Sequence, residues 1–504
     1  MSFSSISLAK VPRSVFDLSH NKKFSAELGL LYPVCCIPTL PSDVVSIGFE
    51  LTARASPMQS PLLHRVDAFV HAFSVPERIL MDQDDYVNFI TGGEDGDDAT
   101  SLPTWNPSAA AKRNAGTLWD MLFGFQGVTP DSDSLPVDFP RRAYFEIFNQ
   151  YYRDVAVEPE IDWSQAVGTN QDMDGNALPT GYNDDEDLQY TSWKKDYFTS
   201  CRPDQQLGDP VSLAIGSATW PAATLANETP MKHDTTAHVP YDSVTKAALE
   251  NNEIASVDIS ELRLAFQIQK WQELAMRAGV RYPEWMKAFF GETIGDERIQ
   301  RPEYIGGARV PIVHSEVAST YDDTANDPVG TLSGKGTAMN GNFLGKFRSR
   351  EFGWLMVLMS IVPKPAYHQG IRRYFTRRTR WDYYNPLFAN LSEQAVLRRE
   401  LYVNGVKADN ETVFGYIPIW DEHRIEMDTV HGLLAPGQTF DFWHAGRNFS
   451  SAPTLSASFV RAHDVNDDAW VLRNSEPHYF VNFANLIKAV RPMPYISTPG
   501  NVDR

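Results

Sequence analysis

A chain of 504 residues, 42% hydrophobic and 22% charged, has ample apolar material for a packed core. Its 64 acidic residues against 45 basic ones leave a formal charge of −19, so bulk charge cannot neutralise a polyanion. Three cysteines cannot build a disulfide framework, and the longest apolar run, "WLMVLMSIV" from Trp354 to Val362, is about half a membrane span.

The 33 prolines and 31 glycines are spread along the chain, which favours one loop-rich body over separate domains. The amino-terminal stretch "MSFSSISLAKVPRSVFDLSH" lacks the apolar core of a signal peptide. The reading is a soluble protein made in a reducing cytoplasm. Cys35, Cys36 and Cys201 are then buried thiols, and the sequons at Asn227, Asn390, Asn410 and Asn448 are chance matches.

In chain order, "VSIGFELTAR" sets Val45, Ile47, Phe49, Leu51 and Ala53 on one face of a strand. "RVDAFVHAFSV" is apolar on both faces, as expected inside a sandwich. From Asp154 to Asp187 there are ten acids and no Lys or Arg. Within that stretch "NQDMDG", Asn170 to Gly175, imitates the start of a calcium loop, but Gly181 stands where a bidentate glutamate is needed. A solvated turn is the preferred reading over weak calcium binding.

Asp258 with Glu261 forms a helix-start signature, and Gly279 stands where the end cap belongs. Leu264, Ile268, Trp271, Ala275 and Ala278 make the apolar stripe between them. "GTLSGKGT" around Lys335 resembles a phosphate loop, but Val329 stands where the first glycine is required, so it reads as a flexible glycine-rich loop.

From Gly341 to Arg380 nine Lys or Arg face a single acid, Glu351. Either this basic stretch meets an external anion, or it pairs with the acidic stretch or across an interface. Its densest part, "IRRYFTRRTRW", holds five arginines among Tyr374, Phe375 and Trp381. "GWLMVLMSIV", "TVFGYIPIW" and "TLSASFVRA" supply further strands, the last with Leu455, Ala457 and Phe459 on one face. Strands at both ends with one clear helix between them indicate an antiparallel β-sandwich or barrel with long connections.

No H-E-x-x-H or G-x-S-x-G motif occurs, and "DEH" at Asp421 to His423 has no identifiable partner for catalysis. With so many acids, choosing a glycosidase pair is arbitrary. No catalytic residue, metal ligand or cofactor site is assigned.

The block "GVRYPEWMKAFFGETIGDERIQRPEYIGG", Gly279 to Gly307, resembles the major capsid protein of the Microviridae, the small single-stranded-DNA bacteriophages, most of all their gokushovirus-like branch. Further similar blocks follow in family order, from "SVFDLSHNKKFSAELGLLYPV" through "KKDYFTSCRPDQQLGDPVSLAIG" and "YHQGIRRYFTRRTRWDYYNPLFANLSEQAVLRREL" to "RPMPYISTPG". The resemblance spans nearly the whole chain. It implies a mainly β fold, an eight-stranded antiparallel jelly-roll β-sandwich with long loop insertions and a few helices, as a single domain over 1–504.

It further implies self-assembly into a T=1 icosahedral virion shell around a circular single-stranded DNA genome, after synthesis in the host bacterial cytoplasm. Its partners would be further copies of itself, the genome, a small basic DNA-packaging protein, other phage virion proteins and a host cell-surface receptor, with no membrane insertion. The alternative from a different class is a β-sandwich carbohydrate-binding protein or glycoside hydrolase. Residues 217–256 are the expected place of a surface insertion, short for this family, forming a reduced threefold protrusion.

In such a shell Arg372, Arg373, Arg377, Arg378 and Arg380 are expected to face the DNA, with Tyr374 and Trp381 as stacking rings. The competing role is an interface between subunits. The acidic stretch is expected on the outer surface. "RPEYIGG" is expected to be a turn fixed by Pro302, Gly306 and Gly307, with Glu303 pairing Arg301 or Arg298.

Overall fold

A computed structural model describes residues 12–93, 100–124, 134–164, 170–180, 182–183, 185–211, 259–318, 332–471 and 477–496. The expected insertion at 217–256 lies outside them. Residues 1–203 with 290–504 form one compact unit, and residues 204–289 form a second.

The first unit is built on a curled antiparallel sheet. Its strands are β1 (Ser14–Asp17), β2 (His20–Ala26), β3 (Leu31–Thr39), β4 (Val44–Ala55), β5 (Val66–Pro76), β6 (Glu303–Ala318), β7 (Leu332–Arg348) and β8 (Gly353–Pro363). They are joined late in the chain by β13 (Tyr479–Arg491). The order is β1-β13-β4-β7-β6-β5-β8-β3, with β2 also paired to β13. Alternation puts Val45, Ile47, Phe49, Leu51 and Ala53 inside, as their spacing predicts. Phe49 stacks on Phe483 of β13, its ring centroid 5.4 Å away, a contact of about 0.5–1.5 kcal/mol beyond area burial.

The two ends of the sheet meet. Asn485 of β13 donates to the Val34 carbonyl of β3 at 3.0 Å, and Arg491 to the Pro38 carbonyl at 2.8 Å. One continuous apolar core fills the space enclosed, consistent with a jelly-roll sandwich. The strand expected in "RVDAFVHAFSV" is β5, and "GWLMVLMSIV" is the almost wholly buried β8. Three helices, α1 (Gln83–Thr91), α2 (Leu118–Phe123) and α3 (Phe139–Ile147), lie in the loops, and a π-helical turn over Phe148–Tyr152 continues α3.

A satellite core sits around β10 (Glu393–Leu397) and β11 (Val413–Pro418), which realises the "TVFGYIPIW" strand. Short β9 (Ala366–Tyr367) and β12 (Asp428–Thr429) pair in parallel beside it. The second unit holds α4 (Ile259–Ala278), ended as expected by Gly279 at φ +95°. Its capping Asp258 lies outside the described residues. Of the expected stripe only Ala275 is among the buried residues, while Leu264, Ile268 and Trp271 are exposed. Trp271 meets Phe289 of α5 (Tyr282–Phe290) at 6.1 Å.

Five expectations are corrected. "RPEYIGG" is no turn: Glu303 opens β6, and Gly306 and Gly307 lie in the strand where a Cβ would strike the Leu344 carbonyl and the His71 ring. Close approach, and not chain reversal, is what these glycines serve. Arg301 pairs with Asp296 at 2.7 Å instead of Glu303. The glycine-rich "loop" at Lys335 is, from Leu332 on, the start of β7, where Gly334 clears the Ser60 carbonyl and Gly336 the His314 ring.

"TLSASFVRA" folds instead into a helical turn, Ala457–Val460, which buries Ala457, Phe459 and Val460 together. Nor is the acidic stretch a solvated face, because Glu158, Asp162, Asp172, Asp185 and Glu186 are buried. Glu158 meets Arg461 at 2.6 Å, and both side chains are fully buried. Asp172 accepts hydrogen bonds from the Asp174 and Asn176 amides, which makes "NQDMDG" a self-capped turn.

Candidate nucleic-acid interface

Five clustered arginines repel one another, so each needs a local partner or solvent. The fold divides them into two groups. Arg372 and Arg373 leave β9 and turn back over the satellite core. Arg372 donates to Glu426, to the Met427 carbonyl at 2.7 Å and to the Tyr374 hydroxyl at 2.6 Å. Arg373 donates to the Ala395 carbonyl at 2.7 Å and reaches Glu400 at 3.4 Å and Glu422 at 3.9 Å.

Both of those glutamates are buried. Glu400 also accepts from the Tyr197 hydroxyl at 2.9 Å and the Leu397 amide at 3.0 Å, and burial raises its pKa. Gln394 donates to Glu422 at 2.6 Å. Arg373 is therefore the counter-charge that lets two carboxylates sit against an apolar cluster. Tyr374 is half-buried, its ring against Phe375 at 4.6 Å and its hydroxyl engaged by Arg372.

The second group, Arg377, Arg378 and Arg380, is more open to solvent. A short helical turn, Arg380–Asp382, is closed by Thr379 and Asp382, whose carboxylate accepts from the Arg378 and Thr379 amides at 2.8 and 2.7 Å. Those two bonds hold the Asp382 pKa below the ordinary carboxylate value. Around this turn Arg378 and Arg380 are exposed and Arg377 is half-buried, beside four exposed aromatic rings.

Arg377 donates to His423 Nε2 at 2.8 Å and lies 5.1 Å from the Tyr383 ring. Arg380 sits 4.6 Å from the Trp381 ring. The side chain of Arg378 is exposed, without an ion-pair partner among the described residues. Phe375 is 73% and Trp381 60% exposed, and Tyr383 and Tyr384 are exposed beside them.

Guanidinium groups over exposed rings can neutralise phosphates while bases stack, without reading sequence. The structure thus brings together Arg377, Arg378, Arg380 and Trp381 of the expected set. It commits Arg372, Arg373 and Tyr374 to contacts within the chain. Phe375, Tyr383 and Tyr384 were outside the expected set, although "WDYYNP" directly follows the arginines and carried the signal.

The chain as a whole is similar to known proteins. A family model described as "Capsid protein (F protein)" matches residues 4–501. The capsid protein VP1 of Chlamydia phage 1 is 27% identical over 591 aligned residues, covering 99% of this chain and 97% of that protein. The capsid protein VP1 of Spiroplasma virus 4 is 29% identical, covering 97% and 95%. That of Bdellovibrio phage phiMH2K is 27% identical, covering 100% and 98%.

Proposed function

Because the chain belongs to the capsid protein (F protein) family of the Microviridae, and is a structural major capsid protein of a small single-stranded-DNA phage, we propose that its copies form a T=1 icosahedral shell around a circular genome. The observation that carries this is the match of a capsid model to residues 4–501, which leaves almost no chain for another role. No comparison supports the carbohydrate-binding or hydrolase alternative. In this reading the jelly-roll is the scaffold, 217–256 is an insertion in its single domain, and the chain does no catalysis.

The second group, Arg377, Arg378 and Arg380 with Trp381, Phe375 and Tyr383, faces the shell interior and meets the packaged strand. Arg372, Arg373 and Tyr374 support that surface from beneath. Since the chain carries a formal charge of −19, most genome charge is neutralised by something else. A small basic packaging protein supplies that need. Assembly takes place in the host cytoplasm with other virion proteins, and a cell-surface receptor is met from outside.

Electron microscopy of size-fractionated particles tests the shell directly. Uniform small icosahedra are expected, and a monomer that binds or cleaves oligosaccharide overturns the reading. For the interior surface, the triple variant Arg377→Gln, Arg378→Gln, Arg380→Gln is expected to form shells with DNA content reduced severalfold. Normal packaging by this variant sinks the DNA-contact role.

A further inference from the structure

The face of β5 turned away from the core is not plain. Val66, Ala68, Val70 and Ala72 are fully buried on the core side, so Asp67, Phe69 and His71 share the opposite face. Register sets Phe69 between Ser360 of β8 and Arg309 of β6, and His71 opposite Gly307. Tyr151 and Tyr152 of the π-helical turn, with Thr191 and Ser192, complete a cavity of about 360 Å³ over these three strands.

Its chemistry is divided. One wall is aromatic: Phe69, His71, Tyr151 and Tyr152, with His71 Nδ1 and the Tyr152 hydroxyl 2.8 Å apart. Burial lowers the His71 pKa, so at neutral pH this ring is uncharged. The rim is cationic: Arg65, Arg309, Lys194 and Lys364 surround one carboxylate, Asp67. Asp67 is buried and held by Arg309 at 2.6 Å and Arg65 at 3.3 Å, which neutralises it and fixes the guanidinium groups. Lys364 reaches Asp428 at 2.6 Å, whereas Lys194 is exposed with no ion-pair partner among the described residues.

Gly307 of "RPEYIGG" makes room for one wall of this cavity, the His71 ring. A Cβ at Gly307 would stand 2.5 Å from the His71 ring and 2.6 Å from the Tyr304 hydroxyl. Only glycine there lets the imidazole lie against β6.

We propose that this cavity binds one nucleotide unit, its base against the aromatic wall and its 5′-phosphate among Arg65, Arg309, Lys194 and Lys364. A carbohydrate would leave the cations unanswered, and a bare anion would leave the aromatic wall idle. Thr191 and Ser360 also line the cavity, while the Ser192 hydroxyl donates to the Tyr152 carbonyl at 2.9 Å. The source of the nucleotide, a loop of packaged single strand, rests on the shell reading; the chemistry of the cavity does not.

Calorimetry on the full-length unassembled chain decides it, with thymidine 5′-monophosphate, thymidine, inorganic phosphate, oligothymidylate and polyglutamate as probes. The monophosphate is expected to bind at least tenfold more tightly than thymidine or phosphate, with oligothymidylate competing for the same site. Arg309→Gln is expected to weaken it tenfold or more. Lys194→Gln, an exposed change that spares the fold, is expected to weaken it severalfold and to lower the salt dependence by about one ion.

Absent binding, phosphate as good as the nucleotide, or full affinity in Lys194→Gln overturns the site. Monophosphate binding without oligothymidylate competition leaves a free-nucleotide site and overturns the packaged strand as its source. Displacement by polyglutamate equal to that by oligothymidylate assigns the cavity to an acidic protein and overturns it too. No shell or genome enters the measurement, so its failure is separate from failure of the shell reading.

Discussion

Arg461 shows how a single residue holds distant segments together. Its fully buried guanidinium donates to Glu158 and to the Tyr190 carbonyl, both at 2.6 Å, and lies 4.2 Å from each of the rings of Phe148 and Tyr182. Arg461→Met keeps much of the volume but strands the Glu158 charge, and is expected to cost about 3–5 kcal/mol in urea unfolding. His314 works by staying neutral. Burial pushes its pKa down to about 4, with His64 adding repulsion, and its Nε2 lies 3.0 Å from the Tyr479 hydroxyl. The unfolded chain takes up that proton below about pH 6.5, while the folded chain resists it to about pH 4. Stability therefore falls as pH drops through this window, by up to about 3 kcal/mol. His314→Gln is expected to flatten that part of the pH–stability curve, read by chemical unfolding of the unassembled chain.

At the scale of elements, one device recurs: a histidine on one strand paired across the ladder with a glycine on the next. His71 faces Gly307 between β5 and β6, and His314 faces Gly336 between β6 and β7. In both pairs the ring occupies the space that the missing side chain leaves. Gly307→Ala is expected to lower stability by about 1–3 kcal/mol, through overpacking, in thermal unfolding of the unassembled chain. The pattern also marks the limit of sequence reading. Strands whose burial alternates cleanly, such as β4, or is nearly unbroken, such as β8, were legible because one face or both meet the core. Glycines in "YIGG" and "SGKG" read as turn and loop because their reason, a ring or a carbonyl from another segment, lies outside their own stretch of the chain. For the same reason the arginine cluster was legible as a cluster, but its division was not. Glu400, Glu422 and Glu426, which claim Arg372 and Arg373, are 27 to 54 residues downstream.

For the whole molecule, charge and apolar surface point to a chain that completes itself in company. The acidic stretch spends several of its carboxylates on interior pairs and turns, so its ten acids overstate the charge it presents to solvent. Helix α4 carries Ile259, Leu262, Leu264, Phe266 and Ile268 all exposed, around more than one face. A helix apolar on several sides is a buried helix in its working state. That a shell protein should look unfinished as one chain follows from its work.

The place of β13 has a consequence in time. Tyr479–Arg491 pairs on one side with β4 and on the other with β1 and β2, so strands from the first 55 residues are joined through one made more than 400 residues later. At about 5–20 residues per second of synthesis, the early strands wait tens of seconds for their neighbour. A chain stopped before Tyr479 is expected to keep β5–β8 pairing but leave β4 an open edge, and protease digestion of such a truncation should remove the amino-terminal strands first. An interrupted chain therefore lacks the strand that joins its amino-terminal strands to the rest of the sheet.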